Sequence, residues 1–467
     1  VRRGVTLVLL AAVGLATAPA AVALPSRIGT TSSLRGGPAL VGDGAAWVDA
    51  SPGRYFLRSR LPDGSIKTPR SGATVGDSDQ SDTFSLAQRL SLRGSENRLM
   101  FSDDVFGGDQ YHTERRVSVF TGSLAGSLGA LSSCNAARMM GDPGPLSSGA
   151  VAVSANLVAY VDCQDRVVVR DLSPVALTRS LPTPTDPSQL ALNGRWLAER
   201  VSIGNEIKIR VWDWMTGTPA YTTADADGFD LGPNGSLVTA RPGRTCADGH
   251  LDLYTPEAPT GRRLAVTPCT ADVVTGPGAV AVIAPAANGQ RVLTLTGASN
   301  YRRDLALVGG RGVQAAPSSP EQFARSPAID MDSSRAAFAL KRCDGRQDLF
   351  TVSTANPGAR RAVSSRCRVS ILTRRSRLTR RNRLAFRLRC RNGCKGRVFL
   401  RIGRRGGRAA RIAFPPSRRS RRIAFKISGS LPGSLRAGRG IAATLVARTT
   451  DLSGRKRVTR QRVRLSG

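Results

Sequence analysis

The sequence predicts an all-β chain, a seven-bladed β-propeller followed by a C-terminal β-sandwich domain. Three observations carry that expectation. Long helical patterns are almost absent from the 467 residues. Short alternating apolar runs, separated by Gly, Asn, Asp, Pro and Ser, recur from end to end, which is the strand-and-turn signature. The charge is also divided: residues 366–467 hold 32 of the 69 Arg and Lys but only one of the 33 acids, Asp451. About +31 of the formal net charge of +36 therefore sits in the last hundred residues. A nearly neutral body is joined to a strongly cationic one.

The first 23 residues read as an export signal. Arg2 and Arg3 form a positive leader, Val5 to Ala16 an apolar stretch, and Ala21-Val22-Ala23 a small-residue cleavage site, so the mature chain is expected to start at Leu24. The apolar run is interrupted by Gly14 and Thr17 and ends at Pro19, short of the roughly 20 residues that span a bilayer core. Val1 fits an alternative start codon read literally. Residues 24–37 read as an N-terminal linker. The expected location is exported, either extracellular or on the cell envelope.

The propeller is expected over residues 38–366. Its recurring unit is a turn rich in Gly, Asn or Asp followed by an apolar strand: GDGAAWVDA from Gly42, RGSENRLMFS from Arg93, VSANLVAYV from Val153, LNGRWLAER from Leu192, GPNGSLVTA from Gly232, GPGAVAVIA from Gly276 and MDSSRAAFA from Met331. The copies lie roughly 40 to 60 residues apart, the spacing of propeller blades. A second alternating run follows most copies (VVVRDL, IKIRVWDW, HLDLYT, RVLTLT, QDLFTV), then a fourth short strand. Four strands per repeat imply radial repetition about an axis. A row of separate β-sandwiches is the structural alternative.

One stretch carries a family resemblance. Glu206 to Thr222, EIKIRVWDWMTGTPAYT, resembles the third strand, Trp-Asp dipeptide (Trp212, Asp213) and Thr-Gly turn of WD40 blades. The turn-plus-strand units also resemble the repeats of TolB-like periplasmic propellers. Both likenesses imply a propeller over about residues 38–365. The Gly-His element of WD40 repeats is missing.

Eight cysteines in an exported chain point to disulfides rather than metal, since there are two histidines and no Cys-x-x-Cys. In a four-stranded blade, the turn between strands two and three shares a face with the link from strand four to the next blade. Cys163, Cys246 and Cys343 are expected after second strands, and Cys134, Cys269 and Cys367 after fourth strands. All six then lie on one face, within the reach a disulfide needs. The phase pairs Cys134 with Cys163 between neighbouring blades, and Cys246 with Cys269 and Cys343 with Cys367 within blades.

Residues 367–467 read as a basic immunoglobulin-like sandwich. In RLAFRLRC, Leu384, Phe386, Leu388 and Cys390 share one face while Arg383, Arg387 and Arg389 share the other; RVFLRI, RIAF, RRIAFKI and RQRVRL repeat the scheme. Asn392-Gly393 between Cys390 and Cys394 reads as a hairpin turn clamped by its flanking cysteines. The region resembles the arginine-rich sandwich modules that close many exported proteins of high-GC Gram-positive bacteria, a likeness that implies no activity. Arginine outnumbers lysine 63 to 6, a bias that GC-rich coding produces by itself, but such coding does not remove acids. Paired cations stand at Arg374-Arg375, Arg380-Arg381, Arg404-Arg405, Arg418-Arg419, Arg421-Arg422 and Arg455-Lys456-Arg457. Packed like charges oppose a compact fold unless a polyanion neutralises them, and guanidinium binds phosphate or carboxylate as a fork. The expected partners are an anionic wall polymer or lipid headgroups. Phe386, Phe399, Phe414 and Phe425 are too few and too core-like for a base-stacking platform, so sequence-specific nucleic-acid binding is not expected.

Catalytic chemistry needs convergent titratable groups, and no such constellation, cofactor fingerprint or metal site is recognised. His112 lies in an insertion, SDDVFGGDQYHTERR, with Asp103, Asp104, Asp109 and Glu114, read as a solvated polar loop rather than as a divalent-cation site. His250 is expected to face solvent beside Cys246. Asp77-Ser78-Asp79-Gln80-Ser81-Asp82 starts like a calcium loop but has Asp82 where Gly belongs and Gln88 where Glu belongs. Asp225-Ala226-Asp227-Gly228 is shorter still. The sequence therefore favours a monomeric, non-catalytic binding protein with a protein or glycan ligand on a propeller face and the basic module as an anchor. The alternative is an exported propeller enzyme, a hydrolase or lyase acting on polysaccharide or peptide, localised by the same module.

Overall fold

The computed structural model describes residues 25–467 except 75–84, 109–111, 140–148, 165, 175, 183–186, 205, 227, 242–248, 267–272, 277–278, 287–288, 297–300, 310–328, 342–345, 355–361, 364–368, 391–395, 403–406, 415–419, 428–430, 439 and 451–455. Among these residues seven sheets form the propeller, antiparallel except that Ala362–Val363 adds a fifth, parallel strand beside Tyr301–Gly309 of the sixth blade, and two further sheets form the sandwich.

Each of the seven repeated turns joins the first two strands of a blade. The innermost strands are Leu34–Val41, Ser85–Gly94, Val151–Ser154, Gln189–Asn193, Gly228–Leu231, Val273–Gly276 and Ile329–Met331. Backbone sterics account for the turn composition: Gly42, Ala155, Gly194 and Asn234 all adopt positive φ, the left-handed region that tight hairpins require. Alternation along each strand divides a blade between two neighbours. In the fourth blade, Leu197 and Trp212 pack on Ala159, Val161 and Val169 of the third, while Ala198, Ile209 and Val211 pack on Phe229 and Leu237 of the fifth. The core is thus a series of apolar layers between blades. Gly94 sits where two blades touch, and a Cβ there would lie 2.1 Å from the Leu40 carbonyl oxygen.

The ring closes in a way the sequence did not signal. Residues read as an N-terminal linker include a strand, Ser26–Thr31, which is the outermost strand of the seventh blade. It pairs antiparallel with Gln347–Ser353, Ser26 opposite Thr351 and Thr31 opposite Gln347. Thr30 Oγ1 donates to Asp348 Oδ1 at 2.6 Å across the same seam. The last blade therefore takes three strands from the end of the propeller and one from its start.

The sandwich packs a three-stranded sheet (Val369–Ile371, Arg383–Cys390, Ser420–Lys426) on a five-stranded one (Arg375–Arg377, Lys456–Ser466, Ile441–Thr450, Gly396–Ile402, Gly407–Phe414). These adjacencies include the strand pairings of an immunoglobulin-type Greek key. Leu384, Phe386, Leu388, Leu400, Phe425, Leu445 and Leu465 fill its core. One short helix, Leu431–Arg436, interrupts the expected all-strand pattern. The cysteine hairpin is also corrected. Arg383–Cys390 and Gly396–Ile402 lie in different sheets and do not pair, and Asn392-Gly393 between them lies outside the described residues. Asn-Gly is a local turn signal, whereas strand partners here follow the core-facing residues on each side.

Candidate functional site

The innermost strands enclose a central cavity of about 580 Å³ that all seven blades line. An innermost strand has one edge without a neighbour in its own sheet, so its N–H groups need other acceptors. Aspartates supply two of them. Asp330, on the seventh blade, accepts the Leu40 N–H of the first blade at 2.6 Å. Asp230, on the fifth, accepts the Thr275 N–H at 2.6 Å and the Thr275 hydroxyl at 3.0 Å from the sixth. Asn193 Nδ2 donates to the Leu231 carbonyl at 3.0 Å, tying the fourth blade to the fifth. Arg335 of the seventh blade donates to the Asp43 carbonyl at 2.9 Å and also to that of Gly42, both in the first blade.

Enclosure in the channel wall pushes Asp330 up to about 7, outweighing its two backbone donors and the charge of Arg93. The Asp230 carboxylate adds to the rise. Asp230 is raised for the same chief reason, with Thr275 and Arg93 opposing. Arg93, Asp230 and Asp330 thus form an electrostatic group spanning three blades, which the sequence reading missed. Its one sequence signal is an acid just before the turn in otherwise apolar strands, FDL and IDM.

The insertion around His112 is not a loop. Leu99–Gly108 and His112–Gly122 pair in full register, and their acids are separately engaged. Asp104 is buried and receives Nε and Nη2 of Arg115, both at 2.8 Å. Asp103 accepts the Tyr55 hydroxyl at 2.9 Å and Gln88 Nε2 at 2.7 Å. Period-two geometry sends these consecutive carboxylates to opposite faces, so they do not converge on a cation. Glu114 opposes Gly107, and Asp109 lies outside the described residues. His250 is also corrected: it is half-buried, with Nε2 3.2 Å from Asp252 Oδ2. Of the calcium-like stretches, residues 77–82 and Asp227 lie outside the described residues, and Asp225 pairs with Arg200 at 2.6 Å. Among the described residues no three His, Cys, Asp or Glu side chains gather as a metal site.

The structure bonds Cys134 to Cys163, with Cα atoms 5.2 Å apart. Cys163 follows a second strand, but Cys134 lies within the fourth strand Gly129–Met139 rather than after it, because this blade's strands are longer than expected. Cys246, Cys269, Cys343, Cys367 and Cys394 lie outside the described residues, as does the side chain of Cys390. In the Trp-Asp dipeptide, Trp212 Nε1 donates to the buried Glu199 at 2.8 Å, and Asp213 pairs with Arg195.

The sandwich presents cations on both outer faces. On the three-stranded sheet Arg383, Arg387, Arg389, Arg422 and Lys426 are exposed, with Arg387 directly opposite Arg422 and Arg383 opposite Lys426. On the five-stranded sheet Arg375, Arg397, Arg448, Arg460, Arg462 and Arg464 are exposed. Of the paired runs, Arg374, Arg375, Arg380, Arg381 and Arg422 are exposed. Arg421, Lys456 and Arg457 occupy strands without described side chains, and Arg404, Arg405, Arg418, Arg419 and Arg455 lie outside the described residues.

No family model matches the chain, and no curated protein matches it. Among solved structures it is similar to TolB from Acinetobacter baumannii, at 10% identity and a TM-score of 0.29 over 58% of this chain and 80% of that one. It is similar to Saccharomyces cerevisiae Sqt1, at 10% identity and a TM-score of 0.33 over 71% and 98%. A prolyl endopeptidase matches at 14% identity and a TM-score of 0.42 over 78% of this chain and 54% of its own length. The chain thus spans about half of that enzyme.

Proposed function

We propose that the chain is an exported, non-catalytic binding protein, with the propeller as an interaction platform and the arginine-rich sandwich as an electrostatic anchor to an anionic envelope surface. One observation carries the reading. The outer faces of both sandwich sheets expose arginines directly opposite other cations, in a region with a single acid. Like charges placed opposite one another are destabilising, and a polyanion relieves that cost while releasing its own counter-ions. The Cys134–Cys163 bond supports an oxidising compartment. The channel carboxylates support a structural rather than a chemical role, because each is engaged by the backbone of the next blade.

The test is retention on purified envelope across a salt series, comparing the mature chain with one ending at Val363, whose ring already holds its closing strand. Anchoring predicts tight retention of the longer chain only, weakening steeply with salt. Equal, salt-insensitive retention removes it. The second reading, an exported enzyme acting on polysaccharide or peptide, draws on Arg93, Asp230 and Asp330 around a cavity of small-ligand size. Turnover of a cell-wall glycan or peptide that is abolished by Asp230→Asn would favour it.

A further inference from the structure

The two cationic faces differ in shape. On the three-stranded sheet the central strand itself carries Arg383, Arg387 and Arg389, so the charge forms a ridge. On the five-stranded sheet the central strand, Ile441–Thr450, turns Ala443, Leu445 and Ala447 into the core; on its other side Ala442 is exposed, Thr444 half-buried and Val446 buried. Arg464, Arg462 and Arg460 stand opposite these three on one side. Arg401 and Phe399 stand opposite Thr444 and Val446 on the other, with Arg397 next along that strand opposite Arg448. The arginines therefore wall a trough whose open floor is Ala442 and Thr444 and which is covered where Val446 and Phe399 are buried. Arg448 closes one end, its guanidinium 5.3 Å from the Phe399 ring. Arg464 lies across the backbone at Gly440 at the other end, where a Cβ would sit 3.0 Å from its Nε.

Resting on the anchoring reading above, we propose that this trough is the anchor site and that its occupant is a linear polyol phosphate, a base-free phosphodiester chain lying along Ile441–Thr450. Spacing is the first argument. Arginines two residues apart on a strand repeat at about 6.8 Å, and the two walls, two strands apart, are separated by about 10 Å. A peptide residue spans three backbone bonds and at most about 3.6 Å, so a polymer with six bonds between phosphorus atoms repeats at about 7 Å when extended. A glycerol phosphate chain has that six-bond repeat. Each phosphate then meets one wall arginine per rung, and the guanidinium fork donates two N–H bonds to its oxygens. Carboxylated sugars, with a ring between charges, do not share this period. Nucleic acid also has a six-bond repeat, but its unpaired bases need exposed rings to stack on. Among the described side chains of the sandwich, Phe386 and Phe425 are core residues and Phe399 is buried, 5.3 Å from the Arg448 guanidinium; the Phe414 side chain lies outside them.

The experiment measures binding of the full mature chain to synthetic poly(glycerol phosphate) across a salt series, with oligo(dT) of equal phosphate count as comparator. Arg460→Gln/Arg462→Gln/Arg464→Gln is expected to weaken binding at least about tenfold and flatten the log–log salt slope by about 2, at roughly 0.7 per lost phosphate contact. Removing three charges from the ridge, Arg383→Gln/Arg387→Gln/Arg422→Gln, is expected to weaken binding by less than about threefold, through the loss of general attraction alone. The triple lysine variant of the trough, which keeps the charge and loses the fork, is expected to hold the slope and lose affinity. Equal losses from trough and ridge overturn the site, and oligo(dT) binding as tightly as the polyol phosphate overturns the occupant. A wild-type chain that binds neither polymer nor envelope overturns the anchoring reading itself.

Discussion

Asp330 Oδ2 accepts the backbone N–H of Leu40 at 2.6 Å, fastening the seventh blade to the first at the channel wall, at the opposite edge of the blade from the N-terminal strand. The carboxyl is raised to about 7 by enclosure, so between about pH 4 and pH 7 the folded chain holds a proton that the unfolded chain has released. Its contribution to stability is greatest below that window and is lost as pH rises through it. The melting temperature of the wild type, relative to Asp330→Asn, is expected to fall from pH 4 to pH 7. Parallel profiles would contradict the shift. Asp330→Ala, which strands the Leu40 N–H, is expected to cost about 1–3 kcal/mol.

The Cys134–Cys163 bond closes a loop of 29 residues between two blades. Chain-entropy reasoning gives it about 3.6 kcal/mol. Cys134→Ser/Cys163→Ser is expected to lower the urea midpoint by a corresponding amount with an unchanged cavity and fold. A variant as stable as the wild type would show that native strain cancels the constraint.

Glu199 is buried between the third and fourth blades, where it accepts Nε of Arg210 at 2.9 Å and Nε1 of Trp212 at 2.8 Å. Burial raises its carboxyl against those two donors. Glu199→Ala leaves a buried guanidinium without its partner and is expected to cost about 3–5 kcal/mol. Trp212→Phe removes one donor only and is expected to cost less. Denaturant titration of the two variants reads the order directly.

Arg387 and Arg422 face each other across two strands of the sandwich. Their repulsion predicts that Arg387→Ser gains about 0.2–1 kcal/mol at low ionic strength. The gain is expected to vanish near half-molar salt, where screening shortens to a few ångströms. Calorimetry at two salt concentrations checks it, and a gain that persists at high salt would assign it to packing.

Much of the fold was legible because its signals are local. All seven repeated turns fall between the first and second strands of a blade, since a tight turn demands Gly, Asn or Asp and a half-buried strand demands alternation. The closing strand was not legible. Ser26–Thr31 meets its partner over 300 residues away, and GTT beside Arg27 carries no mark of a sheet. The channel carboxylates escaped for a related reason: Asp230 and Asp330 are interpretable only once the neighbouring strand that they bond is known. The insertion around His112 misled because polar and glycine residues dominate a hairpin whose long strands carry Asp104 and Arg115 as a buried pair. Asn392-Gly393 misled by its very locality.

Because one end of the propeller supplies the outer rung of the other end's blade, the toroid has no terminal repeat from which to fray. An open array of blades would lose them one at a time, each with its own threshold. A circle must break somewhere before any sector leaves, so heat or denaturant should meet a single cooperative unit. Translation also delivers Ser26 long before its partners at Gln347–Ser353 exist, so the first strand made waits for the last to arrive.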